Sequence, residues 1–392
     1  MARDIIMGID IGTSSIKTAI AEKRKNETLP YILGTGSSPS LGLRKGYIID
    51  SREVGAAIKD SLKKARENTG ISIKQAYVSV GGAGIDAVRS KGSIAVSRAD
   101  HEISDADVKR SLSQCETQLR RTSSSYLLNR DIIHVFPIAY KIDDEPVMGN
   151  PVGMRGEKLE VDALFITILS QHLSGLEKSL EIAGISIEDV VVDSWATSHA
   201  LLGKKDKEVG CILVNIGGDT SSLMVFEEGG PISHEILPIG SNHITYDIAQ
   251  AFQVGLNEAE EFKLSYGKDI AIKKKLASVI EPRLKDIFEF VENHLDKIKR
   301  AKLLPGGIIL TGGGSKLEGI DEIAKKSLQL PVKICRGEFP GAPKGSHADP
   351  SWSVALGLCL IGANESNIPS FGQDIMSKPK GKIAQFFKNF IP

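Results

Sequence analysis

Met7-Gly8-Ile9-Asp10-Ile11-Gly12-Thr13-Ser14-Ser15-Ile16-Lys17 stands close to the N-terminus of the chain. An apolar run, Ile5 to Ile9, leads into an acid, a Gly/Thr/Ser turn and a second β-rich run, Ile16 to Ile20. The pattern reads as strand, turn, strand. Gly12 has no Cβ, so a ligand can approach the backbone there. Thr13, Ser14 and Ser15 set hydroxyls beside a row of backbone N–H groups, an arrangement that cradles phosphate. Lys17 adds a point charge for phosphate oxygens. Asp10, at the end of a buried strand, has no partner nearby in sequence, and a hydrated Mg²⁺ would supply one.

A related copy follows two hundred residues later, from Ile212 to Phe226. Its turn holds Asn215, Gly217, Gly218, Asp219 and Thr220. A third Gly loop runs from Gly306 to Leu317, with Gly312, Gly313, Gly314 and Ser315 at its tip. One such loop alone reads as an ordinary β-turn. Three, in this order and spacing, resemble the actin-like ATPase superfamily. The resemblance implies that the first two hairpins grip phosphates from two related domains and that the third receives adenosine.

Composition agrees. At 392 residues the chain is long for one core, so two domains are expected. With 41% hydrophobic and 25% charged residues it reads as an ordinary soluble globule. Lys+Arg and Asp+Glu balance at 49 each, so no net charge argues for nucleic acid. Cys115, Cys211, Cys335 and Cys359 are scattered without metal spacing and read as reduced thiols of a cytosolic protein. A strand begins within a few residues of Met1, which leaves no room for a signal peptide. The apolar run Val354 to Ala363 is too short to span a bilayer and is expected to be a buried helix.

Along the chain, a third strand is expected near Tyr31 to Thr35 and a helix from Ser51 to Glu67, capped by Ser51. A strand, Gln75 to Val80, follows. From about Gly84 to Leu159 the pattern changes to a small αβ unit. It holds a strand at Ile94 to Val96, a helix from Ser104 to Arg120 and a strand-like run from Ile132 to Ile142. Val161 to Leu169 is expected to resume the first domain, followed by a helix from Glu177 to Ala183 and a strand from Val190 to Val192. Further helices are expected at His243 to Ala251, Glu258 to Tyr266 and Glu281 to Lys302. Asn364 to Gly381 has no period and reads as a linker. Beyond it, Ile383, Phe386, Phe387, Phe390 and Ile391 fall at helical spacing over an arc of roughly 140°, with Lys382 and Lys388 off it. A basic helix with a phenylalanine face is a membrane-surface anchor by composition.

Taken together, the chain resembles the FtsA family of bacterial actin-like division proteins. Nearly the whole chain carries the likeness. It rests on the first phosphate loop, on Leu43-Arg44-Lys45-Gly46, on Arg130-Asp131-Ile132-Ile133-His134-Val135 in the insert and on Asn150-Pro151-Val152-Gly153-Met154. It also rests on Pro238 to Thr245, on Leu310 to Ser315 and on the basic tail. The position of the insert is its most specific part, since sugar kinases, DnaK-type chaperones and MreB share the phosphate loops without it.

The resemblance implies an α/β fold of two actin-like (ribonuclease H-like) domains flanking a nucleotide cleft. It divides the chain into domain 1A (1–83 and 160–190), inserted domain 1C (84–159), domain 2A (191–240 and 304–363), subdomain 2B (241–303), a linker (364–380) and a membrane helix (381–392). It implies ATP and Mg²⁺ as cofactors, with Glu260 and Lys263 at the ribose. Its implied partners are FtsZ through 2B, further copies of the chain in a filament, division proteins on the insert, and membrane lipids. The expected place is the cytoplasmic side of the cell membrane at the septum. The family's second loop usually begins with Asp where Asn215 stands, and has Gly or Ala where Asp219 stands. Weak or absent ATP hydrolysis follows. A PilM-like pilus adaptor and an actin-fold phosphotransferase stay open as alternatives.

Overall fold

The computed structural model describes residues 4–365 except 26, 68, 268–269, 336–338 and 342–348. The tail residues Lys382, Ile383, Phe386, Phe387, Lys388, Phe390 and Ile391 therefore lie outside the described residues, as does the linker beyond residue 365.

The first half is built on β1 (Asp4–Ile11), β2 (Ser15–Lys23) and β3 (Tyr31–Pro39), a meander of antiparallel strands. A two-residue hairpin, β4 (Leu43–Arg44) and β5 (Tyr47–Ile48), leads to helix α1 (Ser51–Arg66). Strand β6 (Gln75–Val80) then returns parallel to β1. Helix α1 lies on the sheet because Val54, Ala57, Ile58, Leu62 and Ala65 recur on one face and are all buried. Its cap is Asp50 rather than the expected Ser51. The Asp50 carboxylate accepts from the N–H groups of Arg52 at 2.8 Å and Glu53 at 3.3 Å.

The insert follows as β7 (Ile85–Ala95), α2 (Asp105–Thr122), α3 (Ser124–Leu127), β8 (Arg130–Ile142), β9 (Glu145–Val147) and β10 (Lys158–Leu169). Ser104 and Asp107 form a reciprocal capping box at the start of α2. The strand expected to resume the first domain at Val161 is β10, which pairs with both β7 and β8. It is the second strand of the insert's own sheet, in the order β7-β10-β8-β9. The apolar run Val161 to Leu169 signals burial on both faces, and the insert's sheet supplies that burial as well as the first domain would.

The chain re-enters the first half through α4 (Ser170–Ala183), which begins earlier than the expected Glu177, and β11 (Ser186–Val192). The first sheet has the order β11-β6-β1-β2-β3. Helices α5 (Asp193–Leu201) and α6 (Lys204–Val209) cross to the second half. There β12 (Cys211–Ile216), β13 (Ser221–Glu227) and β14 (Gly230–Leu237) form another antiparallel meander. Helices α7 (Ser241–Phe252), α8 (Leu256–Ser265) and α9 (Ile270–Lys297) follow. Then β15 (Gly307–Thr311) and β16 (Val332–Ile334), with α10 (Ile320–Leu328) between them, add in parallel. The order β14-β13-β12-β15-β16 repeats the first sheet strand for strand. The sequence likeness of the two hairpins is thus a likeness of two whole sheets.

Helix α9 was expected to start at Glu281, beside Pro282. It starts more than two turns earlier and carries Pro282 inside. Proline removes one backbone hydrogen bond. Burial of Leu276, Ile280, Leu284, Ile287, Phe288 and Val291 on one face keeps the helix continuous past it. The last helix, α11 (Ser353–Glu365), is buried as expected and packs on α5 and β1. Trp195 on α5 joins the three parts. Its ring stacks on Phe226 of β13 at 6.3 Å and meets Phe136 of β8 edge-on at 4.8 Å. All four cysteines are free, as expected. Among the described residues no helix is long and apolar enough to cross a membrane.

Candidate functional site

The two sheets point the turns after β1 and β12 at each other. Between them lies a cleft of about 870 Å³. Gly12, Thr13, Ser14, Ser15 and Lys17 line it from one side, and Asn215, Gly217, Gly218 and Thr220 from the other. The turns interlock closely. A Cβ on Gly218 would stand 2.2 Å from Ser14 Oγ, so any larger residue there would have to displace that side chain.

On the first side, Asp10 is buried and accepts from Ser79 Oγ at 2.9 Å. That hydroxyl in turn accepts the Ile11 N–H at 2.9 Å, which fixes the end of β1. Antiparallel pairing sets Asp10 opposite Lys17, whose Nζ donates to Ser15 Oγ at 2.7 Å. Burial raises the Asp10 carboxyl above its ordinary range, with the Lys17 charge opposing. Burial lowers Lys17, with Asp10 opposing. Each ion stands in partial desolvation, held chiefly by the other.

On the second side, Asn215 donates to the carboxylate of Asp193 at 3.2 Å, and Ser222 donates to the same oxygen at 2.7 Å. Asp193 is a site residue that the sequence reading missed. It follows the apolar strand β11 as Asp10 follows Ile5 to Ile9, so the same strand-then-acid signal marked it. Burial pushes its carboxyl up to about 6, and the nearby Asp10 charge adds to that. The folded protein therefore holds this proton more tightly than the unfolded chain, and stability falls as pH rises from about 4 through about 6. Replacing Asp193 by Ala removes that loss. The stability difference should move in the variant's favour by up to about 3 kcal/mol between pH 4 and pH 7. Thermal melts across that range check it, and a pH-independent difference would count against a perturbed Asp193.

Glu260 and Lys263 on α8 also line the cleft. Lys263 is buried and bonded to Glu260 at 2.7 Å and to Thr245 Oγ1 at 2.9 Å, whereas Glu260 stays half-exposed. The pair is a fixed part of the wall rather than a solvated surface bridge. Gly312, Gly313 and Gly314 form the opposite wall, with Trp352 beside them. Lys316 and Asp349 close that end with an ion pair of 3.1 Å. Lys316 stands in the third Gly loop, whereas Asp349 and Trp352 carried no signal in sequence, because the return of the chain to the cleft after β16 is a tertiary event.

Two expected site residues do not line the cleft. Ser315 is buried and donates to Gly312 O at 2.8 Å, so its hydroxyl serves the loop's own backbone. Asp219 turns its carboxylate to the mouth of the cleft, toward Lys45 and Asn242. Both corrections have one reason. A turn's sequence gives its residues but not the side to which each one points.

Residues 212–357 match the model of a family described as cell division protein FtsA. Residues 82–167 match the model of the SHS2 domain inserted in FtsA. A cell division protein FtsA of Borreliella burgdorferi is 31% identical over 383 residues, which cover 92% of this chain and 91% of that protein. The chain belongs to the FtsA family. Its relative in Pseudomonas aeruginosa is 28% identical and the match covers 99% and 97% of the two chains. The SHS2 match ends within β10, in keeping with that strand's place in the insert's sheet. Solved structures are similar in fold. The PilM–PilN type IV pilus biogenesis complex gives a TM-score of 0.70 at 19% identity, over 91% of this chain and 98% of that one. MreB5 of Spiroplasma citri bound to ADP gives 0.52 at 12% identity, over 93% and 98%. The fold is thus the actin-like one, two related α/β domains about a cleft with a small αβ domain inserted in the first.

Proposed function

We propose that this chain is an ATP-binding scaffold of the division ring that tethers FtsZ polymers to the cytoplasmic membrane. One observation carries the nucleotide part of the reading. Two matched sheets aim their Gly turns, the buried Asp10 and the half-buried Asp193 and Lys17 at one cleft. Lys17 would hold phosphate oxygens, Thr13 to Ser15 with Gly217, Gly218 and Thr220 would cradle them, and Glu260 and Lys263 would take the ribose. The Gly312 to Gly314 loop would take the base. Mg²⁺ fits as well. Asp10 is buried and Asp193 half-buried, both have hydroxyl or amide partners and raised carboxyls, and a hydrated dication would stabilise both charges. When bound, the ion would neutralise phosphate charge.

We assign 1–83 with 170–192 to domain 1A, the insert to 84–169, and α7 to α9 to 2B. Exposed Tyr246 on α7 and Phe290 on α9 make 2B a candidate face for FtsZ. The two helices are tied together by Arg283, which is bidentate to Asp247 at 2.6 and 2.9 Å. Head-to-tail contacts between copies would build a filament. Later division proteins would dock on the insert. One tail binds lipid weakly, on the order of 5 kcal/mol gross, and many tails on one filament would bind tightly. Hydrolysis is expected to be slow, because Asn215 stands where the second loop of the family usually has an acid.

Sedimentation with lipid vesicles and FtsZ, with and without ATP, tests the reading, with phosphate release followed in the same mixtures. FtsZ should pellet with vesicles only when this chain is present. FtsZ left in the supernatant would refute the tether. Turnover near the typical enzyme value of about 10 per second would favour the phosphotransferase.

A further inference from the structure

We propose that Asp219 is a latch across the mouth of the cleft, which holds the two halves closed and sets the rate at which nucleotide leaves. The inference rests on the nucleotide reading above. Asp219 sits in the turn between β12 and β13. Its Oδ2 accepts the Lys45 N–H at 3.2 Å, and its Oδ1 accepts from Asn242 Nδ2 at 2.8 Å. Its own N–H donates to Thr13 Oγ1 at 3.0 Å. Thr13 and Lys45 belong to the first half, whereas Asn242 begins α7 in the second.

Both ends of the bridge are anchored. Lys45 stands at the tip of the β4–β5 hairpin, and its carbonyl accepts the Ala83 N–H at 3.2 Å, just beyond β6. The Asn242 N–H donates to Gly218 O at 2.8 Å, which ties α7 to the same turn as Asp219. Any motion that draws the turn after β12 away from the turn after β1 must break the Lys45 and Thr13 bonds. The carboxylate lies outside the cavity that nucleotide would fill, so it can remain engaged while the cleft is occupied. A Gly or Ala at this position could not span the gap.

Two readings of the charge separate cleanly. If Asp219 acts as a latch, loss of its bonds speeds release. If it acts by repelling phosphate, loss of its charge slows release. Asp219→Ala removes both carboxylate bonds. Asp219→Asn keeps one acceptor oxygen but turns an N–H toward the other donor. Asn242→Ala loosens the latch and leaves the charge in place.

The test uses the full chain and two measurements. The first is hydrogen exchange of the segment 42–48 in nucleotide-free protein, which reports the Lys45 amide directly. It should quicken in Asp219→Ala and in Asn242→Ala while the melting temperature changes little. The second is displacement of a fluorescent ADP analogue by excess ATP. Release should quicken by roughly 3- to 10-fold in Asp219→Ala, less in Asp219→Asn, and also in Asn242→Ala. Unchanged exchange at 42–48 overturns the latch. Quickened exchange with unchanged or slowed release overturns its control of nucleotide. If the parent binds no nucleotide at all, the nucleotide reading fails and with it the gating, whereas the exchange measurement still decides whether the bridge holds the mouth.

Discussion

Phe386→Glu combined with Phe390→Glu is expected to abolish vesicle binding and to leave nucleotide binding unchanged. At helical spacing the two side chains would fall one turn apart on an apolar arc with Ile383, Phe387 and Ile391. Burying a phenylalanine contributes about 1.5–3 kcal/mol, so the pair carries a large share of one tail's affinity. Glutamate removes that share and sets a like charge against anionic lipid. Lys382 and Lys388 contribute about 1 kcal/mol each near a charged surface. Binding of the parent should therefore weaken as salt rises. Vesicle pelleting decides. If the double variant pellets like the parent, the tail docks on protein and the anchor reading fails.

Lys17→Ala is expected to weaken nucleotide binding by about 1.5–3 kcal/mol, or roughly 10- to 150-fold. In the structure this ammonium is held between Ser15 Oγ and the buried Asp10, facing into the cleft. The loss removes a charge-assisted contact to phosphate. It also leaves Asp10 without its main counter-charge, so the Asp10 carboxyl should rise further toward its neutral form. Lys17→Arg keeps the charge, although its planar head does not match a point-charge site. It should recover part of the affinity. Calorimetry with ATP and Mg²⁺ measures all three proteins, and an unchanged dissociation constant for Lys17→Ala would exclude this lysine from the phosphate site.

Much of the molecule was legible because its signals are local. Strand, acid, Gly turn and strand follow one another within a dozen residues, and hydrophobic period marks α1, α2 and α7 whatever they pack against. Asp10, Lys17, Gly217, Gly218 and the Gly312 to Gly314 loop line the cleft as the spacing required. Asp193 escaped notice although it carries the same mark, because no Gly turn follows it.

Other features depended on what lies across a sheet or a cleft. An apolar strand such as β10 announces burial but not which sheet buries it, so the insert's edge needed the pairing of β10 with β7 and β8. The helical pattern was legible only from Glu281, and only the packed face of α9 shows why the helix begins earlier and runs through Pro282. Asp219 and Ser315 occupy turns whose sequences say phosphate, yet one side chain points to the mouth and the other into its own loop. By itself the sequence determined the two strand–turn–strand hairpins and the insert, since each is written in neighbouring residues. Only the tertiary structure decided which side chains meet in the cleft, because residues from Asp10 to Trp352 become neighbours only when the two sheets face each other.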